Sequence, residues 1–131
     1  MPRLAKGAGI LSGLRSRRKG AAYERELARL FKEAMPGAEI RRGIQNRTGG
    51  DAADVEGTGV FHVEAKRGKL PNPRAALKQA IRDAKPGKVP IAVIRDDRQE
   101  AFTVIRLADF LKFIGEHWLA TKGGTGSELC Q

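Results

Sequence analysis

Three observations on this 131-residue chain predict an α/β fold with a mixed sheet packed between helices. Tyr23, Leu27, Leu30, Phe31 and Ala34 recur at three- and four-residue spacing, the mark of a helix with one buried face. The stretch "DVEGTGVFHVEAKRG" reads as two strands joined across Gly57-Thr58-Gly59. The run "VPIAVIRDD" is mostly apolar and ends in charge, as suits a buried strand. Helix, strands, helix, strand, strand and helix follow one another, an order that gives an α/β sandwich.

Element by element, residues 1–18 form a flexible basic arm, because Gly7, Gly9 and Gly13 work against a stable helix. The first helix runs from about Lys19 to Met35, and Pro36-Gly37 stops it. Residues 38–44, "AEIRRGI", suit a short strand, and "QNRTGGDAAD" is a polar, glycine-rich loop. After the hairpin, Pro71 and Pro73 introduce a second helix from about Arg74 to Ala84, with Ala76, Leu77, Ala80 and Ile81 on one face. "VPIAVIRDD" and "AFTVIR" give two further strands. Leu107, Phe110, Leu111, Ile114 and Trp118 mark a third amphipathic helix, and residues 121–131 are a flexible tail. Residues 19–120 are thus expected to make a single domain.

Composition narrows the classes of function. A lone cysteine, Cys130, rules out an intrachain disulfide and a Cys-based zinc site, so a reduced, cytoplasmic setting is expected. No apolar run approaches the roughly 20 residues that a membrane span needs, so no membrane partner is expected. The N-terminal stretch is too broken by Lys, Arg and Gly for a secretory signal, though its Arg-rich, acid-free character would also suit an organellar transit peptide. The net charge is +10, unevenly spread. Residues 1–19 hold six bases and no acid, and residues 41–88 hold eleven bases against five acids. From Arg95 onward five bases meet six acids. A positive field confined to the N-terminal two-thirds attracts polyanions, nucleic acid first among them.

The chemistry lies within that field. In a strand, Phe61, Val63 and Ala65 face one way and His62, Glu64 and Lys66 the other. Asp54 lies ten residues before Glu64, across the hairpin turn, so pairing of the strands brings two carboxylates together. Adjacent acids repel unless a cation lies between them, and hard oxygen ligands suit Mg²⁺, with Mn²⁺ as a substitute. Such an ion activates water and neutralises a phosphodiester. Lys66 could hold that water or stabilise the transition state, and the Ala65 carbonyl is a further candidate ligand. The similar string "DAK", Asp83 to Lys85, ends a helix, where residues two apart share no face.

Taken together, "RKGAAYERELARLF", "GGDAADVEG", "HVEAKRG" and "KVPIAVIR" resemble the archaeal-type Holliday junction resolvases of the PD-(D/E)XK nuclease superfamily, of which phages carry similar versions. The resemblance runs from about Arg18 to Ile114. It implies a restriction-endonuclease-like core and a homodimeric, Mg²⁺-dependent enzyme that nicks two strands of a four-way DNA junction, in a prokaryotic or phage-infected cell. By motif Glu24 resembles the helix carboxylate, Asp54 the motif Asp, and Glu64 with Lys66 the Glu-x-Lys pair. Asp54, Glu64, Ala65 and Glu24 are then the metal-binding set. Ala53 stands where Pro often precedes the Asp, and Asp51 is a rival acid. Periodicity leaves Glu24 and Glu26 equal, on opposite sides of the apolar stripe, and the family pattern favours Glu24.

Candidate phosphate contacts are Arg17, Arg18 and Lys19 in or beside the arm, Arg25 on the first helix, Arg41, Arg42 and Arg47 ahead of the acidic loop, and Arg67 and Lys69 after Glu64. Gln79, on the helix after the Glu-x-Lys strand, occupies a place where related nucleases often use a polar residue near the site, though a plain surface glutamine is favoured, and His62 reads as a structural histidine. Tyr23, Phe31 and Trp118 suit the core or a dimer contact. Two alternatives remain open: a related repair or restriction nuclease, and a basic nucleic-acid-binding module without catalysis. Asp54 separates the last from the others, because a binding module gains nothing from two acids facing phosphate.

Overall fold

The strand that carries Glu64 and Lys66 is the centre of the sheet. A computed structural model describes residues 3–43 and 53–129, with side chains described for 18–43 and 53–122. In chain order the elements are α1 (Arg3–Ala34), β1 (Arg41–Arg42), β2 (Val55–Glu56), β3 (Phe61–Gly68), α2 (Pro73–Asp83), β4 (Val89–Asp96), β5 (Phe102–Ile105) and α3 (Leu107–Leu129). The five strands lie side by side in sequence order. Every neighbouring pair is antiparallel except β3 and β4, which run parallel from Phe61↔Val89 to Gly68↔Asp96. A parallel pair needs a crossover, and α2 supplies it. The α/β class and the mixed sheet flanked by helices are therefore as the sequence predicts.

Alternation along β4 sorts its side chains between two cores. Val63 packs with Tyr23 and Leu27 of α1, Ile40, Val55, and Ile91 and Val93 of β4. Val55 and Val63 are fully buried, each contributing about 1.5–3 kcal/mol relative to exposure. On the opposite face Ala76 of α2 packs against Ala92 and Ile94. The start of α2 is fixed locally: the Asn72 side chain accepts a hydrogen bond from the Ala75 N–H at 3.1 Å, and Pro73 occupies the first turn.

Two glycines let distant segments approach. Gly57 has φ +87°, and a Cβ there would strike the Glu39 carbonyl, so β1 could not lie against the hairpin. A Cβ on Gly43 would meet the Ala53 carbonyl, and the Gly43 N–H donates to the Asp54 carbonyl at 2.9 Å. That contact anchors the backbone of Asp54.

The structure departs from the sequence reading at both ends. α1 begins at Arg3 instead of near Lys19, taking in the stretch expected as a loose arm. Leu, Ala, Lys and Arg between the glycines are strong helix formers, and each glycine costs only about 1 kcal/mol relative to alanine. Likewise α3 continues to Leu129, through the expected tail. The strand expected over 38–44 contracts to Arg41–Arg42. Helix α3 is amphipathic in sequence, yet its apolar residues lie largely on the surface: Leu111 is 57% exposed and Trp118 63%. Its ring contact to the domain is Phe113 against Phe61, centroids 5.9 Å apart. Tyr23 and Phe31 belong to the α1-side core, whereas Trp118 does not. Arg47 and Asp51 fall outside the described residues, as does the side chain of Arg17.

Candidate active site

Three short segments converge beside the middle of β3. The β2–β3 pairing sets Val55 opposite Val63, so Asp54 falls level with Glu64. Two hydrogen bonds then fix Asp54: its N–H donates to the Val63 carbonyl at 2.9 Å, and its Oδ2 accepts the Ala65 N–H at 2.8 Å. Glu64, only 4% exposed, sits on the α2 face of β3. Lys66, one strand repeat further, brings Nζ to 3.6 Å from Glu64 Oε1. From the helix side, Glu24 is 9% exposed and its Oε2 accepts a 2.7 Å hydrogen bond from Arg42 Nε.

The electrostatics follow from this crowding. Burial, and then the charge of Asp54, push the Glu64 carboxyl up to about 7, against the opposing pull of Lys66. Burial also raises Glu24; the Arg42 hydrogen bond lowers it and Asp54 raises it again. Asp54 thus acts on both acids. His62 shares the Glu64 face and is 5% exposed. Burial pushes its imidazole below the ordinary range, Asp83 pulls the other way, and Lys88 adds to the depression.

Among the described residues, no three His, Cys, Asp or Glu side chains are gathered as a ready group for a metal ion. The chemistry of the donors nonetheless fits a hard divalent cation. Mg²⁺ keeps most of its waters and takes one or two carboxylates from protein. Asp54 and Glu64 are such a pair, and the charge of Asp54 adds to burial in raising the Glu64 carboxyl.

The structure separates the two helix acids that periodicity left equal. Glu24 turns to Arg42 and Asp54, while Glu26 pairs with Arg95 Nη1 at 3.3 Å. It also divides the candidate phosphate contacts. Arg18, Arg25 and Lys69 are exposed. Arg41 is exposed as well and bonds Glu56 at 3.2 Å, whereas Arg42 is committed to Glu24 and Lys19 to Asp97. Arg67 does not join Lys66: alternation turns it to the α1 face, where its charge acts on Tyr23 and Asp97.

Three residues that the sequence reading set aside come to the site. Gln79, read as a surface residue, lines a cavity of about 280 Å³ with Lys66, Pro71, Asn72, Ala75 and Ala76. Asp83, at the helix end read as solvated, acts electrostatically on both Glu64 and His62. His62 itself carried a signal, its place in the period-two pattern with Glu64. Comparison with known proteins finds no matching family model, no matching curated protein and no matching solved structure.

Proposed function

We propose that this chain is a Mg²⁺-dependent DNA endonuclease with a restriction-endonuclease-like core, acting on four-way junctions as a resolvase. The observation that carries the reading is the Asp54–Glu64–Lys66 arrangement: one acid clamped by the Ala65 N–H, a second acid buried beside it, and an amine 3.6 Å away. A strand-surface ion pair would be solvated and its acid unperturbed; Glu64 is neither. The basic segment around the site supplies the field that would draw a polyanion.

In this reading Asp54, Glu64 and the Ala65 carbonyl hold the cation, and Glu24 adds a third acid beside Asp54. When bound, the ion supplies charge neutralisation at phosphate and a water of lowered pKa. Lys66 stabilises charge that develops on the phosphoryl oxygens. Arg42 holds Glu24 in place, and of the candidate phosphate contacts Arg18, Arg25, Arg41 and Lys69 are exposed and would be available to a DNA backbone.

Paired nicks need two copies of the site, and the proposal includes a homodimer. Its support is the apolar side of α3, which the domain's own core does not cover, on a segment outside the basic region. Among the described residues no helix is long and apolar enough to cross a membrane.

The test is incubation of labelled four-way junction, duplex and single-stranded DNA with and without Mg²⁺. Symmetric paired nicks in the junction alone support the resolvase. Mg²⁺-dependent cleavage of duplex instead would make it a repair or restriction-type nuclease, and binding with no cleavage would leave a non-catalytic module.

A further inference from the structure

His62 stands two residues before Glu64 on β3, so both side chains occupy the α2 face. Its ring is buried, and Nε2 has no hydrogen-bond partner among the described residues. An unsatisfied buried polar group costs about 1–3 kcal/mol. A leucine would fill the same space without that cost, so packing alone does not account for an imidazole. The anionic atom facing it is Glu64 Oε2, 4.0 Å from Nε2. That distance exceeds a hydrogen bond by about 1 Å, within reach of a small torsion of the glutamate. Asp83, from α2, and Lys88, from the turn before β4, are the other charges that act on the ring.

We propose that His62 is a positioning residue for Glu64. With Glu64 in its cation-binding position, the His62 Nε2–H donates to Oε2, which leaves Oε1, the oxygen on the Lys66 side, for the ion. Carboxylates that ligate metals are themselves held by outer hydrogen bonds, whose loss typically weakens metal binding 10–100-fold. A bound cation that draws Glu64 into this position would give the buried Nε2 a partner. This role rests on the cation-binding reading above and adds to it a residue outside the Asp, Glu-x-Lys pattern.

The test is calorimetric titration of Mg²⁺ into the full chain, wild type against His62→Leu, His62→Gln and Glu64→Gln, with thermal melts in chelator run in parallel. His62→Leu should weaken Mg²⁺ binding by about 10–100-fold while melting no lower than wild type, since the idle donor is gone. His62→Gln, whose amide N–H reaches about as far as Nε2, should recover most of the affinity. A merely structural histidine would show losses tracking the melting temperature and no rescue by glutamine. Wild-type affinity in His62→Leu, or equal loss in the leucine and glutamine variants, overturns the role. Should His62→Leu fail to fold, His62→Met replaces it as the apolar variant. If Glu64→Gln abolishes Mg²⁺ binding while His62→Leu leaves it unchanged, only the role of His62 falls. If the wild type takes up no Mg²⁺ at all, the cation-binding reading falls with it.

Discussion

Replacing Glu64 with glutamine should stabilise the metal-free protein at alkaline pH. The magnitude follows from where the proton sits. Burial and the Asp54 charge raise the Glu64 carboxyl from 4.5 to about 7. Below pH 4.5 both folded and unfolded chains carry the proton, and Glu64 imposes no charge penalty. As pH rises from 4.5 toward 7 the unfolded chain ionises first, so stability falls through that window; above 7 the loss is constant. At 1.36 kcal/mol per unit, the shift caps the loss at about 3 kcal/mol. Glutamine is neutral throughout, so the advantage of Glu64→Gln should be near zero at acid pH and reach about 1–3 kcal/mol near pH 8. Urea denaturation in chelator at acid, neutral and alkaline pH measures it. Mg²⁺ at a hundred times its Kd should then return about 2.7 kcal/mol to the wild type at alkaline pH and little to the variant. An advantage that does not grow with pH, or a variant less stable than wild type near pH 8, refutes the account of Glu64.

Lys66→Ala should lower junction cleavage by about 10²–10³-fold while changing junction affinity little, as single-turnover rates beside binding isotherms will show; equal losses would make Lys66 a phosphate-binding residue. Arg42→Met should destabilise the fold by about 1–3 kcal/mol, because the nearly buried Glu24 loses the 2.7 Å bond that Arg42 donates, and adding Glu24→Gln should recover part of that in thermal melts. Phe110→Glu with Trp118→Glu should leave the fold intact, since both residues are exposed, and should shift sedimentation at micromolar protein from dimer to monomer. Deleting residues 1–17 should weaken binding to every DNA substrate and flatten its salt dependence, whereas a loss confined to junctions would mean that this segment reads branch geometry.

How legible the site was depended on whether local pattern or tertiary contact decides each position. The faces of β3 follow from its period, and the Gly57-Thr58-Gly59 turn fixes the register that sets Asp54 beside Glu64, so both could be read from residues 54–66. Glu24 and Glu26 could not be told apart in that way. What separates them is Arg42 from β1 and Arg95 from β4, on opposite sides of α1. For α3 the apolar stripe was legible but its partner was not, because periodicity says that a face wants cover and never what covers it. Asp83 illustrates a third limit: its helix-end position is local, while its effect on Glu64 acts through space.

The bond between the Ala65 N–H and the Asp54 carboxylate has a consequence for how this protein could change. β2 begins only at Val55, which pairs with Val63, so β3 lacks a neighbouring strand on that side where the cleft opens. A strand that loses its neighbour exposes a row of unsatisfied amides, and the first of them is taken by a side chain instead of a backbone. The same carboxylate therefore finishes the sheet edge and faces the cleft. Truncation to alanine would fray the edge as well as empty the site, so its effect on DNA cleavage could not be read as chemistry alone. Asparagine retains an oxygen that can accept the Ala65 amide. Whatever becomes of the proposed reaction, a folded descendant would thus be expected to carry a short polar acceptor at position 54, because the Ala65 amide still needs one.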